Sequence, residues 1–284
     1  MDRSSADKLT AEVIASAARA PSDRARVLFA ALVSHLHAFV REVELTPQEW
    51  LAGIHFLTRT GQMCDDLRQE FMLLSDTLGV TMLVDALAEP GEPNATESSV
   101  LGPFFTRDAP EVALGGSIAS EGKGQPLFVE GRVIDRQKAP IAGAVLEVWE
   151  TDGDGKYDTQ YETRAHPDCR GRLRSDPDGR FSFRAVLPVS YSIPTDGPVG
   201  AMLPQLGRHS FRPAHLHVGI TADGYVPLTT ALYVEGDPYL DSDTVFGVKP
   251  SLVERFERHD ESERAYFTVQ REFVLARAPV LAPA

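Results

Sequence analysis

Phe211-Arg212-Pro213-Ala214-His215-Leu216-His217-Val218-Gly219-Ile220 alternates in its second half: Leu216, Val218 and Ile220 are apolar, and His215, His217 and Gly219 fall between them. A period of two in such residues predicts a half-buried β-strand. Side chains at i and i+2 of a strand point to one side. The apolar trio then faces a core, and both imidazoles face the other way, close enough to share a metal ion. The competing reading is a pair of hydrogen-bonded histidines in a core or cleft. Ser34-His35-Leu36-His37 repeats the spacing and acts as a control, because it lies in a helical pattern of Phe29, Leu32, Val33, Leu36 and Val40. On a helix, i and i+2 do not face one another, so His35 and His37 read as ordinary helix residues.

Working outward, the chain has two textures. Residues 7 to 88 carry helical spacing. Leu9, Val13 and Ile14 mark a first helix, and Pro21-Ser22-Asp23 caps a second over Arg24 to Val43. Thr46-Pro47-Gln48-Glu49 is a capping box with Pro at the first helical position; it opens a third helix through Trp50, Ile54, Phe56 and Leu57 to Gly61. A fourth is expected over Asp65 to Leu78 with Gly79 as its stop, and a fifth over Thr81 to Leu87, ending before Pro90-Gly91. Val27, Leu28 and Phe29 are consecutive, so the second helix is apolar on more than one side, as in a unit that buries a face against a second copy of the chain. Residues 89–126 are rich in Pro, Gly and Ser but contain an apolar island, Val100-Leu101-Gly102-Pro103-Phe104-Phe105, which packs into a core or lines a pocket. Strands are expected at Phe128–Asp135, Ala144–Trp149, Arg180–Val186, His215–Thr221, Leu228–Val234 and Ala265–Leu275. The class is α+β: an N-terminal helical domain with its connection over 1–105, then a β-sandwich over 106–284.

At 284 residues, with 43% hydrophobic and 24% charged residues, the composition is that of a globular protein with a full core. A formal net charge of -13 argues against a nucleic-acid partner, which needs a basic patch. No apolar run reaches the roughly 18–20 residues of a membrane span. Met1 to Lys8 lack an apolar signal core, so the cytoplasm is expected, and the Asn94-Ala95-Thr96 sequon is read as chance. Two cysteines, Cys64 and Cys169, form neither a disulfide framework nor a thiolate metal site.

Asp152-Gly153-Asp154-Gly155-Lys156-Tyr157-Asp158 resembles part of a calcium loop but lacks the terminal Glu and follows a strand, so it reads as a polar turn with Tyr157 at its edge. Arg170-Gly171-Arg172-Leu173-Arg174 reads as a solvated positive face. Arg212, three residues before His215, reads either as one half of an ion pair or as a partner for an anion at the metal. The histidine pair can take a carboxylate and bind Fe(II) or Zn(II), or take tyrosine phenolates, which suit a ferric ion. A phenol with a pKa of about 10 ionises at neutral pH only if a metal displaces its proton.

Gly155-Lys156-Tyr157, Ser190-Tyr191 and Arg212-Pro213-Ala214-His215-Leu216-His217 follow in the order found in the intradiol ring-cleaving dioxygenases, and the chain resembles the branch containing the catechol 1,2-dioxygenases. Leu73-Leu74-Ser75-Asp76, Val100 to Phe104, Tyr191 to Pro198 and Tyr239 to Lys249 are similar to its hydroxyquinol 1,2-dioxygenases. The resemblance implies one non-haem Fe(III) per subunit held by Tyr157, Tyr191, His215 and His217, with Tyr191 leaving the iron when a diol chelates it and Arg212 stabilising charge on the ring. It implies a pocket of Leu73, Asp76, Val100, Leu101, Gly102, Pro103, Ile193, Pro194, Arg212, Ala231 and Val245. Leu101 stands where that branch often has Phe, and Ala231 where many catechol enzymes carry a polar side chain. The implied reaction opens hydroxyquinol with O2 to 3-hydroxy-cis,cis-muconate, the enol form of maleylacetate; catechol and a chlorinated catechol are the next substrates. The implied assembly is a homodimer through the helical domain, with a phospholipid between subunits. Two readings from other classes stand beside it: a transthyretin-like binding module without catalysis, and a zinc hydrolase using the histidine pair.

Overall fold

The computed structural model describes residues 3–88, 94–260 and 265–279; Pro90 and Gly91, expected to stop the fifth helix, lie outside them. The chain forms two compact units, Met1–Thr58 and Arg59–Ala284. The first holds α1 (Arg3–Ser16), α2 (Asp23–Glu42) and most of α3 (Pro47–Gln62). The caps are those the sequence predicts. Ser22 Oγ accepts the Ala25 N–H at 3.0 Å, and Thr46 and Glu49 close a reciprocal box, with the Thr46 N–H donating to Glu49 Oε2 at 2.9 Å. His37 engages Thr10 Oγ1 at 3.0 Å through Nδ1, an ordinary helix-packing role. Of the apolar residues on α2 only Val33 is buried, while Val27, Leu28, Leu32, Leu36 and Phe39 are each more than half exposed in the single chain. An exposed apolar face of that size is the kind that marks an interaction surface.

The second unit continues with α4 (Glu70–Thr77) and α5 (Val80–Ala88), then β1 (Pro126–Asp135), β2 (Val145–Trp149), β3 (Arg170–Arg174), β4 (Arg180–Val186), β5 (Tyr191–Ser192), α6 (Pro198–Gln205), β6 (Phe211–Arg212), β7 (His215–Thr221), β8 (Leu228–Val234), β9 (Val253–Glu254), β10 (Glu257–His259) and β11 (Tyr266–Leu275). The fourth helix starts later than expected because Asp65 Oδ1 accepts the N–H groups of Leu67 and Arg68, both at 2.7 Å, and holds that stretch in a turn. The strands form two sheets, ordered β10-β11-β1-β4 and β3-β2-β7-β8-β9, with β5 and β6 as a separate ribbon. Leu127 and Val129 of β1, Phe183 of β4 and Phe273 of β11 meet Leu146 of β2, Leu216, Val218 and Ile220 of β7 and Leu232 of β8 in one buried cluster, so the architecture is the expected sandwich.

The apolar trio of β7 faces that core as the alternation predicts. The opposite face was expected to be half open and is not: His215 is 2% and His217 1% exposed. A second cluster, Phe104, Trp149, Tyr157 and Tyr191 with Leu101 and Phe105 against it, occupies the sandwich's outer side, and Trp149 stacks on His217. Register places the neighbours: Trp149 and Ala231 lie opposite His217 on either side, and Tyr233 lies opposite His215.

Glu150, just after β2, is fully buried; Oε1 accepts the Val186 N–H at 3.0 Å and Oε2 has no hydrogen-bond partner. Burial pushes its carboxyl well above the ordinary range. The folded state therefore holds a proton that the unfolded chain releases above about pH 4.3, so this group subtracts stability as pH rises. Glu150→Gln is expected to flatten the decline in unfolding free energy between about pH 5 and 8, measured by urea titration at each pH.

Candidate metal centre

β7 delivers the two imidazoles as neighbours, with Nε2 to Nε2 at 3.0 Å. His215 Nδ1–H donates to the Pro213 carbonyl at 2.7 Å, which fixes its tautomer and leaves a lone pair on Nε2. That lone pair faces both His217 Nε2 and, at 3.0 Å, Nη1 of Arg212, while His217 Nδ1 has no partner. Burial holds both rings well below the usual histidine range; Arg212 lowers His215 further, and His215 and then Arg212 lower His217. Both are neutral at pH 7, the state that ligates a metal.

The two phenols arrive from other segments. Tyr157 and Tyr191 are buried with their hydroxyls 3.4 Å apart, and Tyr191 Oη lies 3.5 Å from Arg212 Nη1. Burial raises both phenols; Tyr191 raises Tyr157 further, whereas Arg212 offsets the rise at Tyr191. The four side chains and the guanidinium thus form one run of contacts of 3.0–3.5 Å, Tyr157 to Tyr191 to Arg212 to His215 to His217. The spacing of the two nitrogens is that of adjacent ligands on one ion with bonds of about 2 Å. Among the described residues no group of three His, Cys, Asp or Glu side chains could hold a metal, so the pair gains no carboxylate and the phenolate set fits it. The donor set suits a hard, highly charged ion.

Local structure explains each placement. Asp152 Oδ1 accepts the N–H groups of Asp154 (3.1 Å) and Lys156 (3.2 Å), closing the polar turn that leads to Tyr157. Gly155 lies at φ +76°, and a Cβ there would stand 3.1 Å from the Tyr191 Cβ, so the two tyrosine segments approach through a glycine. Tyr191 pairs with Arg212 across the β5–β6 ribbon. Gly102, at φ +72°, passes close to the histidines; its Cβ would lie 3.6 Å from His217 Nε2.

The cluster Arg170–Arg174 was expected to be solvated; Arg174 is exposed and Arg172 half-buried, but Arg170 departs from this. The cluster forms β3, and Arg170 is 1% exposed. Arg170 Nε meets both carboxylate oxygens of Asp158 at 3.0 Å, while Nη1 donates to Phe104 O at 3.1 Å and Thr106 Oγ1 at 2.8 Å. Asp158 follows Tyr157, and Phe104 stacks on the Tyr157 ring with centroids 4.5 Å apart. One buried arginine therefore ties the tyrosine turn to the apolar island. A charge on one side of a short run carries no mark of its burial, which depends on a carboxylate supplied from Asp158.

Of the remaining expected residues, Ala231 flanks His217 in register, and Leu101 packs with the outer cluster. Val100 is buried. Asp76 is buried on α4 with neither carboxylate oxygen in a hydrogen bond; burial raises its pKa, and Thr81 and Arg212 offset this. The Thr81 hydroxyl itself bonds to Ser75 Oγ at 2.8 Å. Leu73, Ile193 and Val245 are buried and Pro103 and Pro194 half-buried; for these five the structure shows burial alone. Asp243, Tyr233, Trp149 and Arg170 also build the site and were not singled out by sequence.

A β-sandwich that gathers two phenols, two imidazoles and a buried guanidinium has the build of a ring-cleaving dioxygenase of the intradiol class. The family model described as Dioxygenase matches residues 100–277, and that described as Catechol dioxygenase N terminus matches residues 22–96. The chain is 51% identical over 245 residues to 6-chlorohydroxyquinol 1,2-dioxygenase of Cupriavidus pinatubonensis, covering 86% of this chain and 89% of that one. It is 43% identical over 283 residues to hydroxyquinol 1,2-dioxygenase of Rhizobium sp., covering 95% and 96%. The crystal structure of hydroxyquinol 1,2-dioxygenase from Pseudomonas putida DLL-E4 superposes with a TM-score of 0.87 at 47% identity, covering 98% of this chain and 100% of that one. The chain belongs to the intradiol ring-cleavage dioxygenase family, whose enzymes use non-haem iron.

Arg170→Ala leaves Asp158 buried beside Arg164 alone. It is expected to lower unfolding stability by about 3–5 kcal/mol, read from the urea midpoint.

Proposed function

We propose that this enzyme opens the ring of hydroxyquinol, 1,2,4-trihydroxybenzene, between two adjacent hydroxylated carbons with O2, giving 3-hydroxy-cis,cis-muconate, the enol form of maleylacetate. The reading rests on the meeting of Tyr157, Tyr191, His215 and His217 beside Nη1 of Arg212. These four would hold one Fe(III) per subunit. Ferric iron, when bound, supplies the electron-withdrawing power that makes a chelated ring carbon reactive toward O2. The side chains do the rest. Tyr157, pinned under Phe104, stays in place. Tyr191 Oη takes up a proton as the substrate's hydroxyl is deprotonated, helped by the burial that favours its neutral form. Arg212 Nη1 stabilises negative charge growing on the substrate's oxygens in a buried site. Asp76, buried without a hydrogen-bond partner, is the acceptor for the third hydroxyl, the group that distinguishes hydroxyquinol from catechol. Val100, Leu101, Gly102, Pro103, Ile193, Pro194, Ala231 and Val245 complete the walls.

Iron-loaded protein is expected to be coloured by tyrosinate-to-iron charge transfer, and chelation should remove the band and O2 uptake together. A colourless, iron-replete sample would sink phenolate ligation. Initial rates of O2 uptake should rank hydroxyquinol above catechol and a chlorinated catechol; a higher catechol rate would reverse the substrate assignment.

The helical region, residues 1–105, serves in this reading as the dimerisation domain and connection, and 106–284 as the catalytic domain. A second copy, with a phospholipid between the two, would cover the open face of α2. The double substitution Leu32→Glu, Leu36→Glu is expected to shift the protein from dimer to monomer in sedimentation; an unchanged dimer would move the interface elsewhere.

A further inference from the structure

Arg212 presents its five N–H groups in a rigid fork. The Nε–Nη2 edge lies against Asp243, with Nε to Oδ1 at 3.1 Å and Nη2 to Oδ2 at 3.2 Å. Nη2 also donates to Tyr233 Oη at 3.2 Å. Only Nη1 remains, and it points at Tyr191 Oη and His215 Nε2. A counter-charge for a buried guanidinium could sit anywhere along the fork; here it occupies the edge opposite the site.

The clamp is itself fixed. Asp243 Oδ1 accepts the Val245 N–H at 3.2 Å and Oδ2 the Gly247 N–H at 3.0 Å. Tyr233 donates to Ser99 Oγ at 3.0 Å, and Ser99 donates to the Gly247 carbonyl at 2.9 Å. The donors run from Arg212 through Tyr233 and Ser99 to Gly247, and the ring closes at Asp243, which accepts from both the Gly247 N–H and Arg212. The ring packs tightly against Gly247. A Cβ on Gly247 would stand 2.7 Å from Tyr233 Oη and 3.0 Å from Arg212 Nη2. None of Asp243, Ser99 or Gly247 forms a hydrogen bond with Tyr157, Tyr191, His215 or His217 among the bonds of this centre.

We propose that Asp243 is a positioning residue: through the ring that it closes with Tyr233, Ser99 and Gly247 it aims Nη1 of Arg212 at the substrate's oxygens, and through the same carboxylate it sets the turn that carries the pocket residue Val245. The proposal rests on the reading of Arg212 as the group that stabilises charge on the substrate.

The test is a mutant cycle on iron-loaded protein with D243N, R212K and the double variant, assayed by hydroxyquinol-dependent O2 uptake with visible spectrum and iron content recorded. D243N is expected to lower kcat/KM by about 10- to 100-fold, the scale of a misplaced catalytic group, with the charge-transfer band and iron content kept. In the R212K background the same change should cost less than about threefold, because residues that act as one unit are not additive. G247A, which alters no charge, should reproduce the D243N loss. Additive losses, wild-type kcat/KM in both D243N and G247A, or iron loss from D243N would each overturn the assignment. Absent turnover in the wild type, by contrast, would fault the reading of the function itself.

Discussion

Two imidazoles and two phenols, all desolvated, meet on the outer side of β7 in one run of contacts with Arg212. His215 has committed its only proton to Pro213, so its remaining lone pair receives both a guanidinium and a second imidazole. The phenols are held in their neutral form by burial. On the proposed reading, a cation held by all four would need a charge high enough to displace the phenolic protons.

The surrounding frame keeps that point dry and rigid. The sandwich core fixes one face of β7, while Trp149, Phe104 and the Gly102 loop close the other. Two buried ion pairs hold the approaches. Arg170 with Asp158 secures the turn bearing Tyr157, and Arg212 with Asp243 secures the ribbon bearing Tyr191. Each pair places a charge where water cannot reach it, and each uses the remaining N–H groups of its arginine to bind a second segment. Buried ion pairs seldom add stability over a hydrophobic substitute; here both fix geometry.

Much of this was legible in the sequence where the signal was local. Leu216, Val218 and Ile220 alternate with the histidines, and a strand is the one regular structure that turns this spacing into a shared face. The same spacing at His35 and His37 led to a helix because their neighbours carry the helical period. Thr46 and Glu49 announced a cap that the backbone makes. Signals that depend on distant partners were not legible. Arg170 looked like a surface cation because Asp158 is needed to bury it. Asp243 lay within a recognised stretch, yet its partner Arg212 reaches it only through the fold. β3 was hidden by its arginines, and α6 by the Pro and Gly residues that begin and interrupt it. Leu73, Pro103, Ile193, Pro194 and Val245 were named by resemblance, and their burial or placement is what the structure adds.

The order of strands carries a consequence for how the molecule is made. β11, near the end of the described chain, is not an edge: it lies between β10 and β1 and pairs in parallel with β1 along its length. Its Val269, Phe273 and Leu275 belong to the same cluster as Leu216 of the histidine strand. A ribosome that has released β7 and β8 has therefore produced Tyr157, Tyr191, His215 and His217 but only part of the core behind them. The sandwich closes after synthesis has passed residue 275, and parallel pairing across so long a separation is slow to form.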